Sequence, residues 1–184
     1  MSEKPQGWAR ISSRKVADCR VFDVREDLCR SDKTGLESSF FVIEATDWVN
    51  VLAVTTQGKI VLIEQYRQGV ERMILEIPGG MIDAGEEPLL GAKRELSEET
   101  GYTSSDWSYL GKSFPNPAIQ NNSMHHFLAR GCELTESTAF DENEDIGTKV
   151  VSTEELYKLI RDGKFEHSLA LTAIGLAVAA GKDL

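Results

Sequence analysis

Residues 80–102 read GMIDAGEEPLLGAKRELSEETGY, a run that carries helix-boundary signals. Pro88 is favoured at the first position of a helix, because its fixed φ suits the helix and its missing N–H costs nothing there. Gly101 suits the left-handed conformation in which many helices end. The run therefore predicts a helix that begins at Pro88 and is terminated by Gly101.

Three glutamates, Glu95, Glu98 and Glu99, lie close together on this predicted helix. At roughly 100° per residue, they fall within about 100° of one another on its surface. Like charges at this spacing repel by about 0.2–0.5 kcal/mol per pair, and the helix dipole disfavours each anion in the last turn by about 0.3–1 kcal/mol. A divalent cation would reverse both effects, since Mg²⁺ prefers carboxylate oxygens. The alternative interpretation is a solvated acidic face.

The spacing of the run matches Gly-x5-Glu-x7-Arg-Glu-U-x-Glu-Glu-x-Gly-U at every fixed position, where U is aliphatic or aromatic. Leu96 and Tyr102 occupy the two U positions. This pattern resembles the signature of the Nudix hydrolases, whose motif forms a loop–helix–loop that holds divalent cations against a diphosphate. The resemblance implies an α/β fold, with a mixed β-sheet sandwiched between α-helices and a small N-terminal β-sheet lobe.

The resemblance also implies roles for the charged residues of the run. Glu95 and Glu99 would be direct metal ligands, and Glu98 would be a ligand or lie close to one and count among the catalytic residues. Arg94 would be an orienting catalytic cation that pairs with a motif carboxylate, although an ordinary surface arginine is the alternative. Glu86 would help to position the cluster and is grouped with the substrate-binding residues.

The metal site implied by the resemblance extends to the glycines that precede the helix. The carbonyl of Gly79 would be an additional ligand, and the bend at residues 78–80 would let the backbone approach closely. Alternatively, Gly79 and Gly80 only make a turn. The cofactor implied is Mg²⁺ (or Mn²⁺), with two to three ions per site.

Two stretches outside the run point to one branch of these enzymes. Residues 64–67, Glu-Gln-Tyr-Arg, and residues 75–80, Leu-Glu-Ile-Pro-Gly-Gly, are similar to the ADP-ribose pyrophosphatase branch, which cleaves nucleoside diphosphate sugars. Pro117 lies sixteen residues after Gly101, where that branch also carries a proline. The resemblance covers roughly residues 48–184.

An acidic segment at residues 141–145 also resembles this branch. By that resemblance, Glu142 is the candidate general base for the attacking water and Glu144 a supporting metal ligand. Which of the two accepts the proton stays open, because clustered carboxylates titrate together. Taken alone, such a segment is usually just a solvated loop.

Substrate contacts are predicted at three further positions. Arg67 is interpreted as a bidentate donor to a substrate phosphate, with a surface arginine as the alternative. Glu76 is interpreted as an acceptor for the hydroxyls of a ribose or sugar, with a plain strand-end glutamate as the alternative. Pro117 lies in the proline- and amide-rich stretch 114–122, which suits contacts to a sugar or base or is simply a long loop.

The expected reaction is metal-assisted hydrolysis of a diphosphate bond. With ADP-ribose as substrate, the products would be AMP and ribose 5-phosphate. Two alternatives remain open: a preference for GDP-mannose or a broad set of nucleotide sugars, and a sensor that binds ADP-ribose without hydrolysing it. The sensor is disfavoured because such proteins usually lose glutamates that this chain retains.

Composition excludes several other classes of protein. The 20 Lys and Arg residues against 30 Asp and Glu give a net charge of -10, which argues against binding of bare nucleic acid. Residues 1–20 lack the apolar core of a signal peptide, and the most apolar stretch, 169–180, is shorter than the roughly 20 residues of a membrane span. The three cysteines show no disulfide or metal-ligand spacing. We therefore expect a cytoplasmic protein.

The chain is expected to have two parts, an N-terminal β lobe at residues 1–47 and a Nudix hydrolase domain at residues 48–184. Alternating residues predict strands at Lys15–Val24 and Ser38–Ala45, with a turn at 32–35 between them. Homodimers whose N-terminal strands pack across the subunits are usual in the branch. The resemblance therefore implies that the lobe serves dimerisation.

Within the second part, a hairpin and two further helices are predicted. Residues 48–56 and 59–66 are rich in β-branched and apolar side chains and flank a Gln-Gly turn. Residues 153–161 follow a capping-box pattern that begins at Ser152. Residues 168–180 are apolar almost all round, which predicts a helix buried against the sheet.

Overall fold

The structure, a computed structural model, describes residues 4–140 and 145–182. Its strands and helices, in chain order, are β1 (Trp8–Asp18), β2 (Asp23–Ser31), β3 (Glu37–Glu44), β4 (Trp48–Thr55), β5 (Ile60–Arg67), β6 (Arg72–Glu76), β7 (Gly79–Met81), α1 (Pro88–Thr100), β8 (Tyr102–Thr103), β9 (Asp106–Ser113), β10 (Met124–Leu134), β11 (Ile146–Val151), α2 (Thr153–Arg161) and α3 (Ser168–Ala179).

The chain divides into two compact units. One contains the residues up to Thr46 together with Phe114–Asn122, and the other contains Asp47–Ser113 and the residues from Ser123 onward. This division differs from the predicted domains 1–47 and 48–184 in the stretch Phe114–Asn122. The stretch joins the first unit because the Ile43 N–H donates to the Ile119 carbonyl and the Asn121 N–H donates to the Ile43 carbonyl.

The first unit is built on an antiparallel sheet in the order β1-β2-β3. The prediction of one strand over Lys15–Val24 was wrong, because the chain reverses between β1 and β2. The Cys19 N–H donates to the Phe22 carbonyl, and Arg20 takes a left-handed φ of 63° in this turn. The turn at residues 32–35 is confirmed, and Gly35 there has a φ of 72°.

The second unit contains a mixed sheet, which has eight strands in the part of the chain that the structure describes. Its path runs β11-β5-β4-β10-β8, with β6, β7 and β9 paired to β5, β4 and β10. β4 is central: it pairs in parallel with β10 and antiparallel with both β5 and β7. The predicted hairpin of residues 48–66 is the β4–β5 pair.

Helices cover both faces of this sheet. Alternate residues of β4 point in opposite directions: Val49 and Val51 pack in the cluster that includes Leu96 of α1, whereas Leu52 packs with Ala173 of α3. The cluster on the α3 face also includes Leu156 of α2 and the buried Phe165 between the two helices. The predicted fold, a mixed sheet between helices with a small N-terminal β lobe, is confirmed.

The helix ends follow the signals in the sequence. α1 begins at Pro88 and is capped by Gly101, whose φ of 72° is left-handed. A Cβ at Gly101 would also lie 2.5 Å from the carbonyl oxygen of Glu136, so this position requires glycine on two grounds. Ser152 caps α2 by accepting a hydrogen bond from the Glu155 N–H. Of the helices in the described residues, none combines the length and apolar character needed to cross a membrane.

A hydrogen-bonded histidine lies inside the second unit. His126 on β10 is fully buried; its Nδ1 is 2.8 Å from Asn50 Oδ1 and its Nε2 is 2.8 Å from Ser113 Oγ. Asn50 donates its amide N–H to the Leu169 carbonyl, so its Oδ1 is the atom that accepts from His126. A proton therefore lies on Nδ1. Burial lowers the pKa of His126 to about 4, so the imidazole is neutral at pH 7.

The stability of the protein is expected to fall on mild acidification because of His126. Its pKa in the folded state is below the ordinary value of 6.5, so the unfolded chain takes up the proton first as the pH drops. The contribution of neutral His126 to the free energy of unfolding is complete above pH 6.5, is reduced by about 2 kcal/mol at pH 5, and is lost by about pH 4. Urea unfolding at a series of pH values measures this slope.

The contribution of His126 can be separated from that of the carboxylates, which also titrate in acid. His126→Gln should have a flatter dependence of the free energy of unfolding on pH than the wild type. Parallel slopes for the wild type and His126→Gln would contradict the assignment.

Candidate active site

Helix α1 directs two buried carboxylates towards β7. Glu95 is 9% exposed and Glu99 is 3% exposed, whereas the side chain of Glu98 keeps 42% of its surface in solvent. Residues four apart lie on the same face of a helix, which explains why Glu95 and Glu99 are buried together. Buried ionised carboxylates need compensating partners, and the structure supplies them from the backbone and from one arginine.

The backbone of β7 approaches both carboxylates closely. The Gly79 N–H donates to Glu99 Oε2 at 2.8 Å. A Cβ built on Gly80 would lie only 2.5 Å from Glu95 Oε1. The glycines therefore do more than make a turn, because any side chain at Gly80 would displace the Glu95 carboxylate.

Arg94 donates hydrogen bonds to three acidic side chains, those of Glu86, Glu95 and Glu98. Its Nη1 donates to Glu95 Oε1 at 2.9 Å and to Glu98 Oε2 at 3.1 Å, while its Nε and Nη2 each reach the Glu86 carboxylate at 3.1 Å. Nη2 also donates to the Met81 carbonyl at 2.9 Å. The hydrogen bonds to Glu86 above all raise the pKa of Arg94, and the same bonds lower the pKa of Glu86.

Replacing Arg94 by Gln is expected to lower the free energy of unfolding by about 1–3 kcal/mol in the presence of a chelator. The loss arises because Glu86, Glu95 and Glu98 would face one another without a cation between them. Saturating Mg²⁺ should restore part of that stability, since a bound cation takes over the neutralisation. Urea unfolding with EDTA and with Mg²⁺ measures both effects.

The matched control for Arg94 is Arg30→Gln. Arg30 pairs with Glu37 at the surface, with both side chains about half exposed, so its loss should cost at most about 1 kcal/mol. It should also leave the response to Mg²⁺ unchanged. An equal gain in stability on adding Mg²⁺ to the two variants would contradict a cation site beside Arg94.

The donor set fits a hard divalent cation. Glu95 and Glu99 offer carboxylate oxygens, and such oxygens are what Mg²⁺ and Mn²⁺ prefer. In the described residues no three acidic, histidine or cysteine side chains converge as a metal-holding group. Arg94, paired with Glu95 and Glu98, supplies part of the positive charge beside these acids.

Arg67 and Glu76, each predicted as a substrate contact, are hydrogen-bonded to each other. Arg67 Nε lies 2.6 Å from Glu76 Oε1, and Nη2 lies 2.7 Å from Oε2, a bidentate pair. The two residues belong to β5 and β6, which are adjacent antiparallel strands. In the register of the two strands, Arg67 lies opposite Arg72 rather than opposite Glu76. The long Arg67 side chain must therefore run along the hairpin to reach Glu76.

His167 is the residue at this location that the sequence did not single out. It precedes α3 as its N-cap, and its Nδ1 lies 3.5 Å from Glu76 Oε2. No motif surrounds it, and it is 91 residues from Glu76 in the sequence. Only a prediction of where the start of α3 packs relative to β6 could have identified His167.

Three other site residues were predicted from the sequence: Pro117, Glu142 and Glu144. Pro117 lies in Phe114–Asn122, which belongs to the first unit. Glu142 and Glu144 lie outside the described residues. Just before residues 141–144, the Ala139 N–H donates to the Glu98 carbonyl of α1 at 2.9 Å.

Comparisons with a family profile and with individual proteins relate the chain to known proteins. Residues 46–171 match the family profile described as NUDIX domain. The chain is 34% identical over 188 residues to the ADP-ribose pyrophosphatase of Bacillus subtilis (strain 168), with 99% of this chain and 98% of that protein covered. It is 31% identical over 173 residues to the methanol dehydrogenase activator of Bacillus methanolicus, covering 94% and 90%.

A solved structure described as an ADP compounds hydrolase superimposes with a TM-score of 0.83 at 24% identity, covering 97% of this chain and 96% of that one. At that identity the likeness concerns the fold alone. The profile match, by contrast, spans more than half of the chain and includes the acidic helix, β4 and the glycines of β7. The chain therefore belongs to the Nudix family of hydrolases.

Proposed function

We propose that this enzyme hydrolyses the diphosphate bond of nucleoside diphosphate sugars, with ADP-ribose as the preferred substrate and AMP and ribose 5-phosphate as products. The observation that carries the proposal is the pair of buried carboxylates, Glu95 and Glu99, held against the backbone of β7. The full-length similarity to the Bacillus subtilis ADP-ribose pyrophosphatase supports the substrate class.

Nudix hydrolases generally need divalent metal ions, and here the proposed cofactor is Mg²⁺ or Mn²⁺, with two to three ions per site. The proposed ligands are the carboxylates of Glu95, Glu98, Glu99 and Glu144 and the carbonyl of Gly79. When bound, such ions would offset the charge of the diphosphate and favour ionisation of water at neutral pH.

The chain's own side chains have separate tasks in this proposal. Glu142 accepts a proton from the attacking water. Arg94 fixes the orientation of Glu86, Glu95 and Glu98 through its four side-chain hydrogen bonds to them. Glu98, which is more exposed than Glu95 and Glu99, is the third proposed catalytic residue beside Glu142 and Arg94.

Substrate binding is assigned to four residues: Arg67, Glu76, Glu86 and Pro117. Arg67 donates to a phosphate, and Glu76 accepts hydrogen bonds from the ribose or sugar. Glu86 supports the same side of the site through Arg94. Pro117 and its loop contact the sugar or the base.

A substrate panel tests the proposal. ADP-ribose, GDP-mannose and other nucleotide sugars are each incubated with Mg²⁺ or Mn²⁺, and the nucleoside monophosphate and the sugar phosphate are measured separately. We expect the highest kcat/KM for ADP-ribose. A higher kcat/KM for GDP-mannose, or equal values for all substrates, would contradict the preference for ADP-ribose but not the hydrolysis of the diphosphate bond. Binding of ADP-ribose without any product would identify a sensor instead.

Two further assignments belong to the same proposal. The enzyme is a homodimer in which the strands before Trp48 pack against the partner; exposed apolar side chains in the first unit support this, among them Trp8, Ile11 and Phe41. Light scattering should give twice the mass of one chain. A cytoplasmic location is supported by the free thiols of its three cysteines.

A further inference from the structure

Glu76 is a buried carboxylate that lies between two basic side chains. Its side chain is 2% exposed, and its two oxygens accept the bidentate hydrogen bonds of Arg67. His167 Nδ1 approaches one of the same oxygens, Oε2, at 3.5 Å. This distance is slightly beyond an ordinary hydrogen bond, so in this state Arg67 is the principal partner.

The two basic residues differ in their access to solvent. The side chain of Arg67 is 45% exposed, although its partner is buried, whereas the side chain of His167 is 27% exposed. Arg67 can therefore turn towards a ligand, as the proposed contact to a substrate phosphate requires. Glu76 is buried and cannot follow, and the neutral sugar hydroxyl proposed as its ligand does not offset its charge. Loss of Arg67 is therefore strongly disfavoured unless another cation replaces it.

His167 is positioned to be that replacement. Within residues 4–140 and 145–182, its Nδ1 is buried and has no hydrogen-bond partner. Burial lowers the pKa of His167, Arg67 lowers it further, and Glu76 opposes both. The neighbouring Glu166 pairs with Arg72 at 2.9 Å, so the charges that face the imidazole are those of Glu76 on β6 and Arg67 on β5.

We propose that His167 takes up a proton when Arg67 leaves Glu76 for a substrate phosphate, so that nucleotide binding is coupled to protonation of a histidine that does not touch the reacting atoms. A proton from solvent adds to the neutral imidazole, and the Nδ1–H then donates to Glu76 Oε2. His167 is thus a positioning residue that acts through Glu76, and the inference rests on the proposed role of Arg67.

The pH dependence of KM tests this coupling. Binding that takes up a proton weakens as the pH rises, so the wild-type KM for ADP-ribose should increase as the pH is raised through 6.5, the ordinary pKa of histidine. One pKa unit of difference between free and bound enzyme corresponds to about a tenfold change. His167→Asn cannot carry the proton, so its KM should be raised at the lower pH and should no longer increase, while its kcat follows the wild-type profile.

Two variants separate this role from a purely structural one. Glu76→Gln removes the charge that His167 must neutralise, so it should flatten the KM profile as His167→Asn does, and the double variant should add no further flattening. His125→Asn, a histidine change on β10 away from Glu76, should keep the wild-type profile.

The outcomes are distinct from those that test the reaction itself. A wild-type KM that does not increase with pH overturns the coupling even if His167→Asn fails to fold, and so does an unchanged slope in that variant. Absence of hydrolysis of every nucleotide sugar by the wild-type enzyme would instead refute the proposed function.

Discussion

Glu99→Gln should lower kcat by at least two powers of ten while leaving the fold intact. The carboxylate is 3% exposed and faces β7, so it is placed to contribute charge to a bound cation, a contribution worth several kcal/mol in a transition state. Glutamine has the same shape, and its amide oxygen can still accept the hydrogen bond from the Gly79 N–H. The readouts are kcat for ADP-ribose at saturating Mg²⁺ and the midpoint of urea unfolding.

Glu87→Gln is the matched control for this change. Glu87 precedes α1, is exposed, and its side chain makes no capping hydrogen bond to the helix. It should therefore keep the wild-type kcat. If Glu99→Gln also kept the wild-type kcat at saturating Mg²⁺, the assignment of Glu99 as a metal ligand would be refuted.

Gly79→Ala should destabilise the protein by about 3 kcal/mol or more. A Cβ at this position would lie 2.3 Å from the Val49 carbonyl oxygen and 2.7 Å from the Asn50 Cα. Both are backbone atoms of β4, so no side chain can rotate away to make room, and the pairing of β7 with β4 must open instead. Urea unfolding measures the loss, and the hydrolysis rate should fall with it, because the Gly79 N–H that holds Glu99 would move.

Gly175→Ala is the control, since it makes the same chemical change in the middle of α3. A Cβ at Gly175 would meet nothing within 4 Å. Alanine is favoured over glycine inside a helix, so this variant should gain about 0.5–1 kcal/mol. An unfolding midpoint for Gly79→Ala equal to that of the wild type would show that β7 does not pack as described.

The parts of the fold that sequence predicts well are those with local signals. α1 could be delimited because Pro88 and Gly101 act within one turn of the helix. The acidic cluster could be predicted because the positions of Glu95 and Glu99 on one face follow from the helical period alone. α2 was predicted in the same way, through the cap at Ser152.

The parts that were missed depend on contacts between distant residues or on unusual turns. The chain reversal after β1 could not be predicted because Arg20, rather than a glycine or proline, takes the left-handed conformation there. In addition, the residues of β1 are almost all exposed and carry no clear pattern of burial. The pairing of Arg67 with Glu76, and the approach of His167 to it, require the register of β6 and the position of α3. Neither is encoded in the residues immediately around them.

The side chain of Asn50 has a consequence for a chain that is still being translated. It bonds to His126 and to the Leu169 carbonyl, which follow it by 76 and 119 residues. A nascent chain that ends soon after Thr100 already contains the signature glutamates, but it lacks β10 and α3. Contacts of such long separation form late, after most of the polypeptide is available. The two hydrogen bonds of Asn50 can therefore form only after β10 and α3 have been synthesised.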